Sequence, residues 1–165
     1  MTYEARTYTA TNGLYANYQV SPSAYALLEE LASMMGLELE VSKLHCTLMY
    51  SKSSVPLKEV PSLMQYIEGR LVSKVLGLTT WKGHNDKDYI VLCLTDDHLH
   101  EVHEMIASRG AVPTFTPYRP HITLGTKEKI TEADEDLMLQ WNLAAYKFRP
   151  TVKLHSPRIE DLKSD

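Results

Sequence analysis

Leu44-His45-Cys46-Thr47-Leu48 and its counterpart Pro120-His121-Ile122-Thr123-Leu124 decide how this chain is read. Each is a His-x-Thr triplet set in a short apolar run. Successive side chains of an extended strand point to opposite faces, so His45 and Thr47 share one face while Leu44, Cys46 and Leu48 take the other. His121 and Thr123 divide in the same way from Ile122 and Leu124. Two such strands side by side would turn two imidazoles and two hydroxyls toward one ligand. A single His-x-Thr triplet carries little weight in a chain with seven histidines. A second copy in matching surroundings gives the pattern its meaning.

Those surroundings repeat. Before the first triplet, Gly13 to Val20 alternates as a strand and Ser21-Pro22 starts a helix. Apolar residues at Tyr25, Leu28, Leu31, Ala32 and Met35 keep helical spacing until Gly36. Before the second, Asp88 to Leu94 is a strand, Thr95 or Asp96 can cap, and Leu99, Val102 and Ile106 hold helical spacing until Gly110. Leu14 precedes His45 by 31 residues and Tyr89 precedes His121 by 32. A strand, helix, His-x-Thr strand unit is thus used twice, over residues 13–51 and 88–126, which predicts two similar lobes facing each other.

Between the units, residues 51–56 form a polar loop suited to covering the cleft. Val60 to Ile67 is a short helix that Pro61 confines to starting there. Lys74 to Trp81 is a strand broken at Gly77, and residues 83–87 make a turn. Beyond the second unit, residues 131–136 are an acidic helix start. Alternation from Tyr146 to Leu154 predicts a strand closing one lobe, followed by a polar tail.

The whole chain, 165 residues and 44% apolar, suits one domain with an ordinary core. A net charge of −4 argues against long nucleic acid as a partner, since that binding rests on broad phosphate neutralisation. A compact nucleotide needs only a local positive pocket, for which Lys43, Arg119 and the motif histidines are candidates. No apolar run has membrane-spanning length and residues 1–20 lack a basic region followed by an apolar block, so a cytoplasmic protein is expected. Cys46 and Cys93, both in predicted strands, read as small buried apolar residues.

In-line displacement at a phosphodiester needs one group to take a proton from the nucleophile and another to give one to the leaving oxygen. An imidazole with an ordinary pKa of about 6.5 can serve either way near neutral pH. His45 and His121 are the candidates for this pair. Thr47 and Thr123 are placed to donate to the non-bridging oxygens. Which histidine is the base, and whether water or an adjacent 2'-hydroxyl attacks, stays open. The scheme needs no cofactor and no metal. The nearest thing to a metal cluster is His98, His100 and His103 with Asp96, Asp97 and Glu104. His100, His103 and Glu104 lie on the helix face away from Leu99, Val102 and Ile106, where a solvated surface is expected. His84 and His155 stand in no motif. Tyr15, Trp81 and Trp141 are the candidates for stacking on bases and Arg119 for meeting phosphate. Tyr50 falls on the strand face opposite His45 and is expected to pack.

The paired triplets, 76 residues apart, resemble the two-histidine (2H) phosphoesterase superfamily. Asn12-Gly13-Leu14-Tyr15, Lys43 to Ser51 and Tyr118 to Gly125 look most similar to the phage anti-CBASS protein 1 family. That resemblance implies an α+β fold of two pseudo-symmetric lobes of antiparallel sheet with helices outside. It also implies an active site in the central cleft, with the four motif residues catalytic. The implied activity is metal-independent cleavage of cyclic di- or trinucleotide messengers of a bacterial antiphage system, in the host cytoplasm. The residues alone leave room for 2'-5' oligoadenylate or an RNA-terminal cyclic phosphate as substrate. A binding module that sequesters a nucleotide is the other class, although sequestration would not need paired proton-transfer groups.

Overall fold

Strand pairing carries both His-x-Thr triplets into one barrel. The computed structural model describes residues 7–10, 12–53, 55–58, 60–69, 71–83 and 86–162. In chain order the elements are β1 (Thr7–Ala10), β2 (Leu14–Val20), α1 (Tyr25–Met34), β3 (His45–Ser51), β4 (Val55–Lys58) and α2 (Val60–Ile67). There follow β5 (Leu71–Lys82), β6 (Asp88–Thr95), α3 (Asp97–Ser108), β7 (His121–Lys127), α4 (Glu132–Phe148) and β8 (Thr151–Asp161). Six strands close a barrel in the order β2-β3-β7-β6-β5-β8, with neighbours antiparallel, and β1 and β4 pair separately. The fold is α+β, and the chain runs strand, helix, strand as β2-α1-β3 and again as β6-α3-β7. The strands of both units join a single closed barrel. The seam between the halves is short: Cys46 of β3 stands opposite Ile122 of β7.

The apolar side of that seam belongs to the core. Cys46, Leu48 and Ile122 are buried with Leu28 and Leu31 of α1, Leu63 and Ile67 of α2, and Leu99, Val102 and Ile106 of α3. Buried aliphatic surface of this kind stabilises by roughly 25 cal/mol per Å² removed from water. Helix ends follow local chemistry. The Asp96 carboxylate accepts from the His98 amide at 2.8 Å to start α3. Thr131 and Asp134 form a reciprocal capping box on α4, and Lys127 Nζ lies 3.0 Å from Asp134 Oδ1. These bonds hold the Asp134 carboxyl below the usual carboxylate range, the Thr131 amide first and Lys127 next.

Four expectations are corrected here. The strand expected from Tyr146 to Leu154 starts at Thr151, because α4 continues through Phe148 and ends on Arg149 in the left-handed region (φ 50°). The residues expected as a polar tail instead continue β8 to Asp161, with Tyr15 opposite Glu160. Val55 to Pro56, expected in a loop, belong to β4, paired with β1; Ser54 lies outside the described residues, as do His84 and Asn85 of the expected turn. The fourth concerns Tyr50. On β2 and β3, Ala16 faces Met49 and Asn17 faces Thr47, which leaves Leu48 as an extra residue. That bulge buries Leu48 and Met49 together and turns Tyr50 back to the half-exposed side shared by His45 and Thr47. An equivalent bulge falls on β7: Ile90 faces Gly125 and Val91 faces Thr123, leaving Leu124. Both bulges lie at the third residue after the motif histidine.

Gly13 opens β2 with φ +104°, and a Cβ there would collide with the Ser51 carbonyl, so glycine is required where β2 meets the end of β3. Among the described residues no helix is long and apolar enough to cross a membrane.

Candidate active site

The register that sets Cys46 against Ile122 places His45 across from Thr123 and Thr47 across from His121. Directly opposed residues of an antiparallel pair stand about 4.5–5.5 Å apart, and diagonal ones about 7–8 Å. All four motif side chains therefore leave one face of two adjoining strands, within reach of one small group. Each ring is held in the same way. His45 Nδ1 lies 2.8 Å from the Lys43 carbonyl, and His121 Nδ1 lies 2.8 Å from the Arg119 carbonyl. A carbonyl can only accept, so Nδ1 carries the proton in both rings and, in the neutral form, Nε2 is free to take one.

The neighbours of the two rings differ. The Trp81 indole lies 4.3 Å from His121, and the Arg119 guanidinium sits 4.5 Å above Trp81. Burial pushes the His121 pKa below the ordinary imidazole value; the charges of His45 and Arg119 add to this, while its bond to the Arg119 carbonyl opposes it. At His45 the neighbour is Tyr15, edge-on at 5.8 Å, whose hydroxyl lies 3.2 Å from Thr47 Oγ1. Burial raises the Tyr15 pKa, so this hydroxyl stays protonated and neutral at the site.

A cavity of about 1010 Å³ opens beside the motifs, lined among others by Thr47, Thr123, His121, Trp81 and Arg119. The structure thus gathers Thr47, His121, Thr123, Trp81 and Arg119 around the cavity, with Tyr15 bonded to Thr47 and His45 beside Tyr15, both outside its lining. It does not gather Trp141, which is half-buried against the core on α4 and lines no part of this cavity. Lys43 is also elsewhere occupied: its ammonium is 3.0 Å from Glu40 on an exposed surface, and its carbonyl is what serves the site. Of the loop expected over residues 51–56 to cover the cleft, the described residues Ser51, Lys52, Ser53 and Pro56 do not line the cavity. That wall is built instead by residues 113–119, immediately before the second motif.

Sequence reasoning overlooked three residues around this cavity. The Tyr118 hydroxyl donates to the Thr47 carbonyl at 2.8 Å, so the segment leading into one motif grips the backbone of the other. Tyr118 also stacks on His103 at 4.2 Å with the planes 3° apart, and His103 Nδ1 reaches the Leu48 carbonyl at 2.6 Å. His103 is therefore half-buried and lines the cavity, where a solvated helix face was expected. The third residue is Phe115, 63% exposed and 5.6 Å from Tyr50. A Pro- and aromatic-rich run, Pro113 to Pro120, was the available signal.

Among the described residues no three His, Cys, Asp or Glu side chains are grouped so as to hold a metal ion. Cys46 is fully buried, and burial pushes its thiol pKa up to about 12, which leaves it a packing residue.

The sequence matches the family model described as anti-CBASS protein Acb1 over residues 12–165. Two relatives carry that name. The protein from Vibrio phage KVP40 is 26% identical over 123 residues, covering 73% of this chain and 77% of the relative. The protein from Escherichia phage RB16 is 26% identical over 126 residues, covering 73% and 67%.

Proposed function

Since this chain belongs to the anti-CBASS protein Acb1 family, we propose that it cleaves cyclic di- or trinucleotide messengers of the CBASS antiphage response. It does so as a metal-independent phosphodiesterase of the two-histidine type, acting for a phage inside the host cell. One observation carries the reading. Each motif histidine donates Nδ1–H to the carbonyl two residues before it, at 2.8 Å, which leaves Nε2 of both rings as the nitrogen available for proton transfer.

His121 is the base. Burial favours its neutral form, so at neutral pH its Nε2 can take the proton of the attacking hydroxyl, whether water or the neighbouring 2'-hydroxyl. A bond forms from that oxygen to phosphorus as the bond from phosphorus to the leaving oxygen breaks. His45, protonated, gives its Nε2 proton to the leaving oxygen. Thr47 and Thr123 donate to the non-bridging oxygens as charge builds there, with Tyr15 orienting the Thr47 hydroxyl. Trp81 offers a surface for a nucleobase, and Arg119 above it stands ready for phosphate.

The test is incubation of the purified protein with cyclic di- and trinucleotides and linear 2'-5' and 3'-5' oligonucleotides in EDTA, resolved by chromatography and mass spectrometry. Linear products from the cyclic substrates, absent with His45→Ala, are expected. Cleavage confined to linear 2'-5' chains or RNA ends would leave the chemistry and remove the anti-defence role. Recovery of every substrate intact would overturn the enzyme reading.

A further inference from the structure

We propose that Tyr50 and Phe115 form a second base-stacking platform, so that the ligand is held by two nucleobases, one on either side of the paired motifs. The proposal rests on the reading of this site as a nucleotide site. It begins from an unpaid apolar exposure: Phe115 is 63% exposed and lines the same cavity as His121 and Trp81. An exposed phenyl at the tip of a floppy loop would mean little. This loop is pinned. The Thr114 amide donates to the Tyr50 carbonyl at 2.8 Å, and the Lys52 amide donates to the Thr114 hydroxyl at 2.9 Å. The backbone next to Phe115 is thereby tied to the end of β3, and the ring is held 5.6 Å from Tyr50 at a 40° tilt.

Tyr50 reaches this position only through the bulge at Leu48, which turns it to the motif side of β3. From there the ring contacts run in one series. Tyr50 meets Tyr15 at 6.2 Å, Tyr15 meets His45 at 5.8 Å and its hydroxyl reaches Thr47. On the other side Trp81 lies 4.3 Å from His121. The motifs therefore sit between two aromatic groups, and the cavity of about 1010 Å³ exceeds what one nucleotide fills. A phosphodiester centred on the motifs has its two flanking bases directed to these groups, which fits a ligand of at least two linked nucleotides.

The experiment measures equilibrium binding of 3',5'-cyclic diadenylate and of adenosine 5'-monophosphate to the full chain carrying His45→Ala, with and without Phe115→Ala. Because stacking of one base is lost, Phe115→Ala should weaken the cyclic diadenylate by about 5- to 100-fold and the mononucleotide at least fivefold less. Phe115→Trp should restore the affinity, which a loss through misfolding would not allow. Unchanged affinity for the cyclic dinucleotide in Phe115→Ala, or an equal loss for both ligands, would overturn the two-sided placement while leaving the chemistry standing. Binding by these rules without any cleavage by the unsubstituted protein would keep the platform and remove the enzyme reading. Absence of binding by either ligand before Phe115 is changed would remove both.

Discussion

The half of the barrel built from β2 and β3 and the half built from β6 and β7 make their histidines by one recipe and surround them differently. In both, the motif opens the strand, Nδ1 is tied to the carbonyl two residues back at 2.8 Å, and a bulge follows at the third residue. The recipe fixes tautomer and direction. The surroundings are unequal. His121 is half-buried under Trp81 with the Arg119 guanidinium close by, whereas His45 meets Tyr15, and the nearby Lys43 ammonium is paired with Glu40. Duplication supplies two imidazoles held alike, and their neighbours make the two environments different.

The widest break in the comparison comes from removing either ring. His45→Ala and His121→Ala should each lower turnover of a cyclic dinucleotide by about 10²- to 10⁴-fold, and the double variant should fall little further, since the pair acts as a unit. Near-normal turnover in one of them would mean that the halves are not partners. Next come the aromatic neighbours. Trp81→Ala should raise KM by about 5- to 100-fold through the lost base surface. Tyr15→Phe, which removes only the hydroxyl 3.2 Å from Thr47, should cost about 2- to 10-fold in kcat. Equal effects on KM would show that both rings merely bind.

A smaller effect is expected where the halves are joined. Tyr118→Phe removes the donor to the Thr47 carbonyl and should destabilise by about 1 kcal/mol, a fall in Tm of about 2–4 °C, with kcat reduced more than KM rises. Retention of both would show that the single strand pairing at Cys46 and Ile122 holds the motifs unaided. In that case the stack of Tyr118 on His103 would be packing only.

Most of the repeat was legible because it is written in periodicity. Alternation around His45 and His121, helical spacing from Leu28 to Met35 and from Leu99 to Ile106, and Gly36 and Gly110 as stops depend on neighbours in the chain, and each appears as expected. What was missed depends on neighbours in space. Nothing in Leu48 or Leu124 marks a bulge, because a bulge is a property of pairing, and so Tyr50 was assigned to the wrong face. His103 lies away from the apolar stripe of α3, yet its Nδ1 finds the Leu48 carbonyl of β3. Tyr146 and Phe148 alternate like a strand but are highly exposed on α4, whose capping box and long run of helix-forming residues prevail. Trp141 was a candidate by residue type alone, and α4 carries it to the core.

The finest distinction between the halves is the proton affinity of His121, and pH can read it. A base must be neutral to act, so the acid limb of kcat/KM reports its pKa in the free enzyme. Burial pushes the His121 pKa down, so activity should persist below pH 6.5, the ordinary imidazole value of about 6.5 marking where an unshifted base would begin to fail. Arg119→Met removes a nearby positive charge that disfavours the imidazolium, so the acid limb should move to higher pH. Titration of the His121 ring by NMR in the ligand-free protein should move the same way, which separates an effect on the base from any loss of phosphate contact. If the limb moves and the ring does not, Arg119 acts through the ligand alone. A limb that lies above 6.5 in the unsubstituted protein would instead take the role of base away from His121.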